Sequence, residues 1–213
     1  MVLFIVAGVP GIGKTTILQL VKKELNEARV INYGDLMVEI AKKKFGITDR
    51  DDIRKKLTAS DYTELQKEAA LKIKQIAETE KILFVDTHMS VKKPEGYYPG
   101  MPSDVVNLLK PVAIFLIEGR PEDILERRLK DSMIEKPEIT EIGTLTTPRT
   151  GRDIEDERLI ELQQRIDRYY AAAISEKTKI PIKIIDLRFP QKEEFEHAKI
   201  AAKEIIEVVR RFI

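Results

Sequence analysis

The chain holds no cysteine and no tryptophan among its 213 residues, and only two histidines, His88 and His197. The missing cysteine excludes disulfides and any chemistry that needs a thiolate. Long apolar runs are missing too. The runs at residues 2–7 and 112–117 are six residues each, and even with Met1 the first reaches only seven, far below the ~20 that a membrane-spanning helix needs. There is no excess of charge of one sign: 37 Lys and Arg against 36 Asp and Glu leave a net charge of +1. Without a basic field the chain is not expected to bind nucleic acid, and without an apolar span it is not expected to bind membrane. No charged-then-apolar leader precedes the first apolar run, which points to a cytoplasmic location. What is present, 43% hydrophobic and 34% charged residues, suits a single domain over 1–213 with a sizeable core beneath a densely charged surface.

Strand-like and helix-like segments alternate along the chain, the pattern of an α/β domain with a parallel sheet. Strands are expected at 2–7, 29–32, 82–86, 112–117 and 182–186. Helices are expected at 15–27, 36–44, 50–57, 62–78, 102–109, from 121 onward, at 153–176 and at 193–212. Pro121 suits the first position of its helix. His197 falls on what reads as the exposed side of the last helix and is given no role. Residues 132–152 break the rhythm with Pro137, Gly143, Pro148 and Gly151. A stretch of that length without clear structure inside a compact domain reads as a functional lid or an insert.

Residues 8–15 carry the most chemistry. Gly8-Val9-Pro10-Gly11-Ile12-Gly13-Lys14-Thr15, followed by Thr16, is a complete phosphate loop between an apolar strand and an apolar-periodic helix. The glycines let backbone N–H groups curl around a phosphate, and the new helix adds its dipole and unpaired donors. Lys14 is placed to reach the β- and γ-phosphates, and the Thr15 hydroxyl to ligate Mg²⁺. Asp86 ends the strand Ile82-Leu83-Phe84-Val85, and a carboxylate at the carboxyl edge of a doubly wound sheet is placed to hold the same Mg²⁺. His88 follows in a polar loop leaving that edge. Phosphoryl transfer needs positive charge around the moving group. Arg127 and Arg128 precede the irregular stretch, Arg149 and Arg152 end it, and Arg165 and Arg168 follow one helical turn apart. Arginines on both sides of a loop are what a lid closing over a triphosphate would carry.

The residues resemble a known family over nearly the whole chain. The segments 8–16, Asn32-Tyr33-Gly34-Asp35-Leu36-Met37, Asp49-Arg50-Asp51 with Arg54-Lys55, and Val85-Asp86-Thr87-His88 carry the likeness. So do Lys92-Lys93-Pro94-Glu95-Gly96-Tyr97 and Pro99-Gly100-Met101-Pro102, with support from Tyr169-Tyr170-Ala171-Ala172 and Ile182-Lys183-Ile184-Ile185. Together they resemble archaeal-type adenylate kinases, within the nucleoside-monophosphate kinase group of P-loop NTPases. The resemblance implies a three-layer fold, a five-stranded parallel sheet flanked by helices, with a monophosphate-binding helical segment at 32–80 and a lid at 132–152. It implies reversible, Mg²⁺-dependent transfer, ATP plus AMP giving two ADP. ATP would be held by Gly8, Val9, Pro10, Gly11, Ile12, Gly13, Lys14, Thr15, Thr16 and Arg127. AMP would lie near Gly34, Asp35, Arg54, His88 and Lys92, and Thr15 and Asp86 would serve the metal. Lys14, Arg127, Arg152, Arg165 and Arg168 would neutralise the transferring group. A homotrimer is implied by the same resemblance.

The chain departs from the wider family in two places. Val38 and Glu39 stand where most bacterial and eukaryotic relatives have an arginine after the Gly-Asp pair, and Thr87-His88-Met89-Ser90 replaces their Gly-Phe-Pro-Arg segment. Arg54 and Lys92 are the candidates to supply that charge. The segment 132–152 is longer than archaeal relatives usually carry. Two other readings remain open at this stage: a kinase for CMP, UMP or another small acceptor, and a kinase-like ATPase that switches a protein or RNA partner. No Asn-Lys-x-Asp guanine-reading segment follows the fourth strand, which disfavours G proteins.

Overall fold

The computed structural model describes residues 1–133, 138–139, 145–146 and 156–213. The first half runs β1 (Val2–Ala7), α1 (Lys14–Glu24), β2 (Ala28–Asn32), α2 (Tyr33–Phe45), α3 (Arg50–Lys56), α4 (Ala59–Ala77), β3 (Ile82–Thr87) and a hairpin, β4 (Ser90–Lys93) with β5 (Gly96–Pro99). The second half runs α5 (Ser103–Leu109), β6 (Ala113–Gly119), α6 (Pro121–Met133), β7 (Glu138–Ile139), β8 (Leu145–Thr146), α7 (Glu157–Thr178), β9 (Ile182–Leu187) and α8 (Glu196–Val209). Five strands form one parallel sheet in the order β2-β3-β1-β6-β9. Among the described residues, no helix is long and apolar enough to cross a membrane.

The sheet is buried on both faces because its central strands β3, β1 and β6 are apolar up to their carboxyl ends, where Asp86, Thr87 and Glu118 stand. Along β1 the side chains alternate between two cores: Leu3, Ile5 and Ala7 join one, and Phe4 and Val6 the other. The first core packs under α2, α3, α4 and α5, and the second under α1 and α8. Three of the seven phenylalanines meet in the second core, with Phe4 5.4 Å from Phe84 and 5.7 Å from Phe115, centroid to centroid. Each is completely buried and adds about 1.5–3 kcal/mol from area removed from water. The pile fixes β3, β1 and β6 side by side, so their carboxyl ends open onto one edge.

Helix starts follow their caps. Asn32, Asp49, Thr58 and Asp156 accept first-turn N–H bonds in α2, α3, α4 and α7. Capping by Asn32 explains why α2 begins at Tyr33, three residues before the periodicity alone suggests. Helix α1 instead begins after Gly13 with no side-chain cap, which leaves its first donors facing the sheet edge.

The β4–β5 hairpin was not expected; the polar composition after Asp86 reads as a loop. Its strands are too short to show a period, and tertiary contacts hold them. Gln66 Nε2 donates to the Pro99 and Gly100 carbonyls (2.9 and 3.0 Å), and Tyr170 Oη donates to Tyr97 O (2.8 Å). The buried Lys93 ammonium donates to Leu57 O (3.1 Å) and lies 5.2 and 4.9 Å from the ring centres of Tyr62 and Tyr98. Within 132–152, β7 and β8 pair antiparallel. Ser132 and Met133 end α6, and the rest of that expected lid, including Arg149 and Arg152, lies outside the described residues.

His197 is corrected by the structure. It is 4% exposed, not on an open face, because α8 turns it toward α6 and the loop before α8.

Gly100 anchors the hairpin by close approach. Its N–H donates to Met89 O (2.7 Å), and a Cβ there would lie 2.2 Å from the backbone oxygen of His88. We expect Gly100→Ala to cost about 1–3 kcal/mol, as overpacking against backbone does. Urea unfolding reads this as a lower midpoint at unchanged slope, and an unchanged midpoint would show that the hairpin yields freely.

Candidate active site

The phosphate loop leaves β1 at the carboxyl edge of the sheet and is held from above by α6. Gly11 takes φ +84°, and a Cβ there would lie 2.9 Å from Arg128 Cγ, because the Arg128 side chain lies across the loop. Arg128 Nε donates to Pro10 O (2.9 Å), and a guanidinium nitrogen of Arg127 donates to Ile12 O (3.3 Å). Beneath the loop, Lys14 is 7% exposed and donates to Gly8 O (2.9 Å) and Val9 O (3.4 Å). Its ammonium also lies 3.9 Å from Asp86 Oδ1 and 3.3 Å from His88 Nδ1.

Register places the second half of the centre. Asp86 on β3 pairs with Val6 on β1 and with Asn32 on β2, so the buried carboxylate stands beside the loop. Asn32 is a hub: Nδ2 donates to Asp86 Oδ2 (2.8 Å), while Oδ1 accepts from Asp35 N (3.1 Å) and an Arg50 guanidinium nitrogen (2.8 Å). The amide orientation follows, since a carboxylate can only accept and the other two groups can only donate. His88 Nδ1 lies 2.6 Å from Gly8 O, so this nitrogen carries the proton and donates. Burial, reinforced by the Lys14 charge, holds the His88 pKa well below the usual imidazole range. The ring is therefore neutral at pH 7, with Nε2 left as an acceptor.

Next to these groups an open cleft of about 510 Å³ lies between α2, α3, α4 and the hairpin. Tyr33, Met37, Ile53, Tyr62 and Val91 give it apolar walls, and Arg50, Arg54, Asp86 and His88 supply polar groups. An apolar slot ending in two guanidiniums beside Lys14 fits a flat base joined to an anion. Among the described residues no three or more His, Asp or Glu side chains gather into a metal cage. That suits Mg²⁺, which takes most of its oxygens from phosphate and water and needs only one or two from protein; the Asp86 carboxylate and the exposed Thr15 hydroxyl at the start of α1 meet that need.

Helix α7 closes the edge from the β6 side. Gln164 exchanges two hydrogen bonds with the Gly119 backbone, at 2.9 and 3.0 Å. Arg168 forms a two-pronged pair with the buried carboxylate of Glu118 at the end of β6. Arg165 turns outward, 64% exposed and paired with Glu161. Between them, Asp167 is 1% exposed, accepts from Ser90 Oγ on β4, and its Oδ2 has no hydrogen-bond partner among the described residues. Burial pushes its pKa up to about 7 against the opposing pull of Ser90 and Lys14.

The expected residues therefore divide. Residues 8–16, Arg127, Asp86, Gly34, Arg54, His88 and Arg168 meet at or beside the edge. Asp35 instead pairs with Arg50, and Lys92 is exposed and does not line the cleft. Arg152 lies outside the described residues. Sequence reasoning missed Arg50, Asn32, Gln164 and Asp167. Arg50 was legible, since it sits four residues before Arg54 on one short helix and so shares its face. Asp167 was not, because only packing buries it.

Asp167 makes a prediction. An acid whose folded pKa is raised favours the folded state at low pH, and that contribution is lost as pH rises through about 7. Asp167→Asn keeps an acceptor for Ser90 without the proton. Its stability relative to the parent should rise by about 2–3 kcal/mol between pH 5 and pH 8 in urea unfolding. Parallel pH profiles for parent and variant would contradict the shift.

Comparison with known proteins agrees with this geometry. A family model described as an AAA domain matches residues 7–145. An adenylate kinase from Pyrobaculum aerophilum is 40% identical over 208 residues, covering 97% of this chain and 96% of the relative. Adenylate kinases from Methanopyrus kandleri and Thermoplasma acidophilum are each 37% identical, covering 97% and 96% of this chain and 96% and 97% of the relative, respectively. Among solved structures, shikimate kinases from Bacteroides thetaiotaomicron and Aquifex aeolicus share the fold at TM-scores of 0.51 and 0.50. They are 14% and 16% identical, cover 98% of this chain, and are themselves covered to 98% and 96%. The chain belongs to the adenylate kinase family of P-loop nucleoside-monophosphate phosphotransferases.

Proposed function

We propose that this chain catalyses reversible phosphoryl transfer from ATP to AMP, giving two ADP. The observation that carries the reading is the placement of the Arg50–Arg54 cleft directly beside the Lys14–Asp86 centre. Donor phosphates would lie on the loop amides with Lys14, held from above by Arg127. The acceptor base would lie between the apolar walls, with its phosphate on Arg50 and Arg54. Asp86 and Thr15 would hold Mg²⁺ together with ATP, and the ion would add charge cancellation at the donor phosphates.

The acceptor phosphate is already an anion, so no strong base is needed. His88 is neutral and held on Gly8 O, which keeps its charge out of the site and its Nε2 available to accept. The work left to the protein is positioning and cancellation of negative charge in a site closed against water. Asn32 ties the two halves together, since one amide holds both Asp86 and Arg50.

A panel of acceptors tests the reading. With MgATP saturating, ADP should form rapidly with AMP and slowly with CMP, UMP or buffer alone. Arg50→Ala should raise the KM for AMP about tenfold or more, a loss of roughly 1.4 kcal/mol, and leave the KM for ATP within about twofold. Equal rates with CMP or UMP would make the chain a different monophosphate kinase, and AMP-independent hydrolysis would make it an ATPase. An unchanged AMP titration in Arg50→Ala would remove the cleft from the acceptor site.

A further inference from the structure

Arg127 lies at the root of the phosphate loop, and among the described residues no carboxylate forms an ion pair with it. Asp123, one turn earlier on α6, is taken up by Arg120 at 3.0 and 2.6 Å, and Glu126 pairs with Lys130 at 2.7 Å. Among the described residues Arg127 hydrogen-bonds two neutral acceptors, Ile12 O at 3.3 Å and His197 Nδ1 at 3.1 Å. Burial lowers its pKa from the ordinary guanidinium value, against the opposing pull of the Asp123 and Glu126 carboxylates, which are themselves paired to Arg120 and Lys130. A guanidinium held by two neutral acceptors is aimed yet remains cationic, which is what an anion-binding group requires.

The second acceptor is set by the chain's last helix. His197 is 4% exposed in the first turn of α8, and its ring meets Phe189 edge-on at 4.7 Å. Nε2 lies 2.8 Å from Phe189 O, so Nε2 carries the proton and donates. Nδ1 is then a lone pair, facing the guanidinium. The two bonds fix tautomer and ring plane together. A proton on Nδ1 would destroy the acceptor and set two cations against each other.

We infer that His197 is a positioning residue for the donor nucleotide: through Nδ1 it holds the Arg127 guanidinium against the Ile12 carbonyl, where it meets the anionic phosphates on the loop. The inference rests on the reading that residues 8–16 and Arg127 bind ATP. It gives α8, which touches neither nucleotide in that reading, a part in donor affinity.

Steady-state kinetics with each nucleotide varied in turn tests this. His197→Leu should raise the KM for ATP about fivefold or more, with kcat and the KM for AMP within about twofold. His197→Gln, whose amide can accept from Arg127 and donate to Phe189 O, should recover most of the loss. Arg127→Ala should raise the KM for ATP at least as far, and adding His197→Leu to it should do no more. If Arg127→Ala shifts the KM and His197→Leu does not, the positioning role is wrong while the donor reading stands. If Arg127→Ala leaves the KM unchanged, the donor assignment of Arg127 is wrong and the inference falls with it. Equal losses for both substrates, unrescued by Gln, would mark a structural role only and also overturn it.

A second measurement needs no variant. The two imidazoles of the parent should show opposite neutral tautomers by ¹⁵N NMR: Nδ1–H at His88 and Nε2–H at His197. The His197 Nδ1 resonance should move on adding MgATP and stay on adding AMP alone. An Nδ1–H tautomer at His197, or a resonance indifferent to MgATP, would overturn the inference.

Discussion

The site is organised around the buried ammonium of Lys14, which donates to the Gly8 and Val9 carbonyls and faces Asp86 across 3.9 Å. A cation 7% exposed is costly to desolvate, and only dipoles and a carboxylate placed in advance offset that cost. Those groups come from separate elements: the loop after β1, the end of β3, and His88 just beyond it. The parallel register that brings Val6, Asp86 and Asn32 level is therefore a requirement of the charge as well as of the core. The phenylalanine pile under β1, β3 and β6 holds that register in place.

Beside that centre two arginines are each hydrogen-bonded to a neutral side chain. On the cleft side Asn32 fixes Arg50 and Asp86 with a single amide. On the loop side His197 fixes Arg127. The neutral partner aims the guanidinium in both places, and Arg50 also pairs with the exposed carboxylate of Asp35. Arg168 differs, since its carboxylate partner Glu118 is buried at the end of β6. That pair docks α7 on the sheet beside Gln164, while Ser90 and Asp167 join α7 to the hairpin.

The sheet and the phosphate loop were legible because both are local patterns. Apolar runs gave all five sheet strands to within two residues at each end, and the glycine spacing of residues 8–15 marks a backbone conformation whatever surrounds it. The cleft was legible only in part. Arg54 was found and Arg50 passed over, although their spacing on one helix puts both on the same face. The hairpin, the burial of Asp167 and the inward turn of His197 had no local signal. Each depends on contacts distant in sequence: Gln66 with Pro99, Ser90 with Asp167, Arg127 with His197. A histidine on a charged amphipathic helix looks exposed until the opposing element is known.

The most direct test of the central claim is the inhibition pattern of two adenosines joined by a polyphosphate chain, varied against each substrate. If two nucleotides meet end to end over Lys14, the compound competes with ATP and with AMP, binding one per chain. Competition with ATP alone would place the acceptor elsewhere and contradict the account.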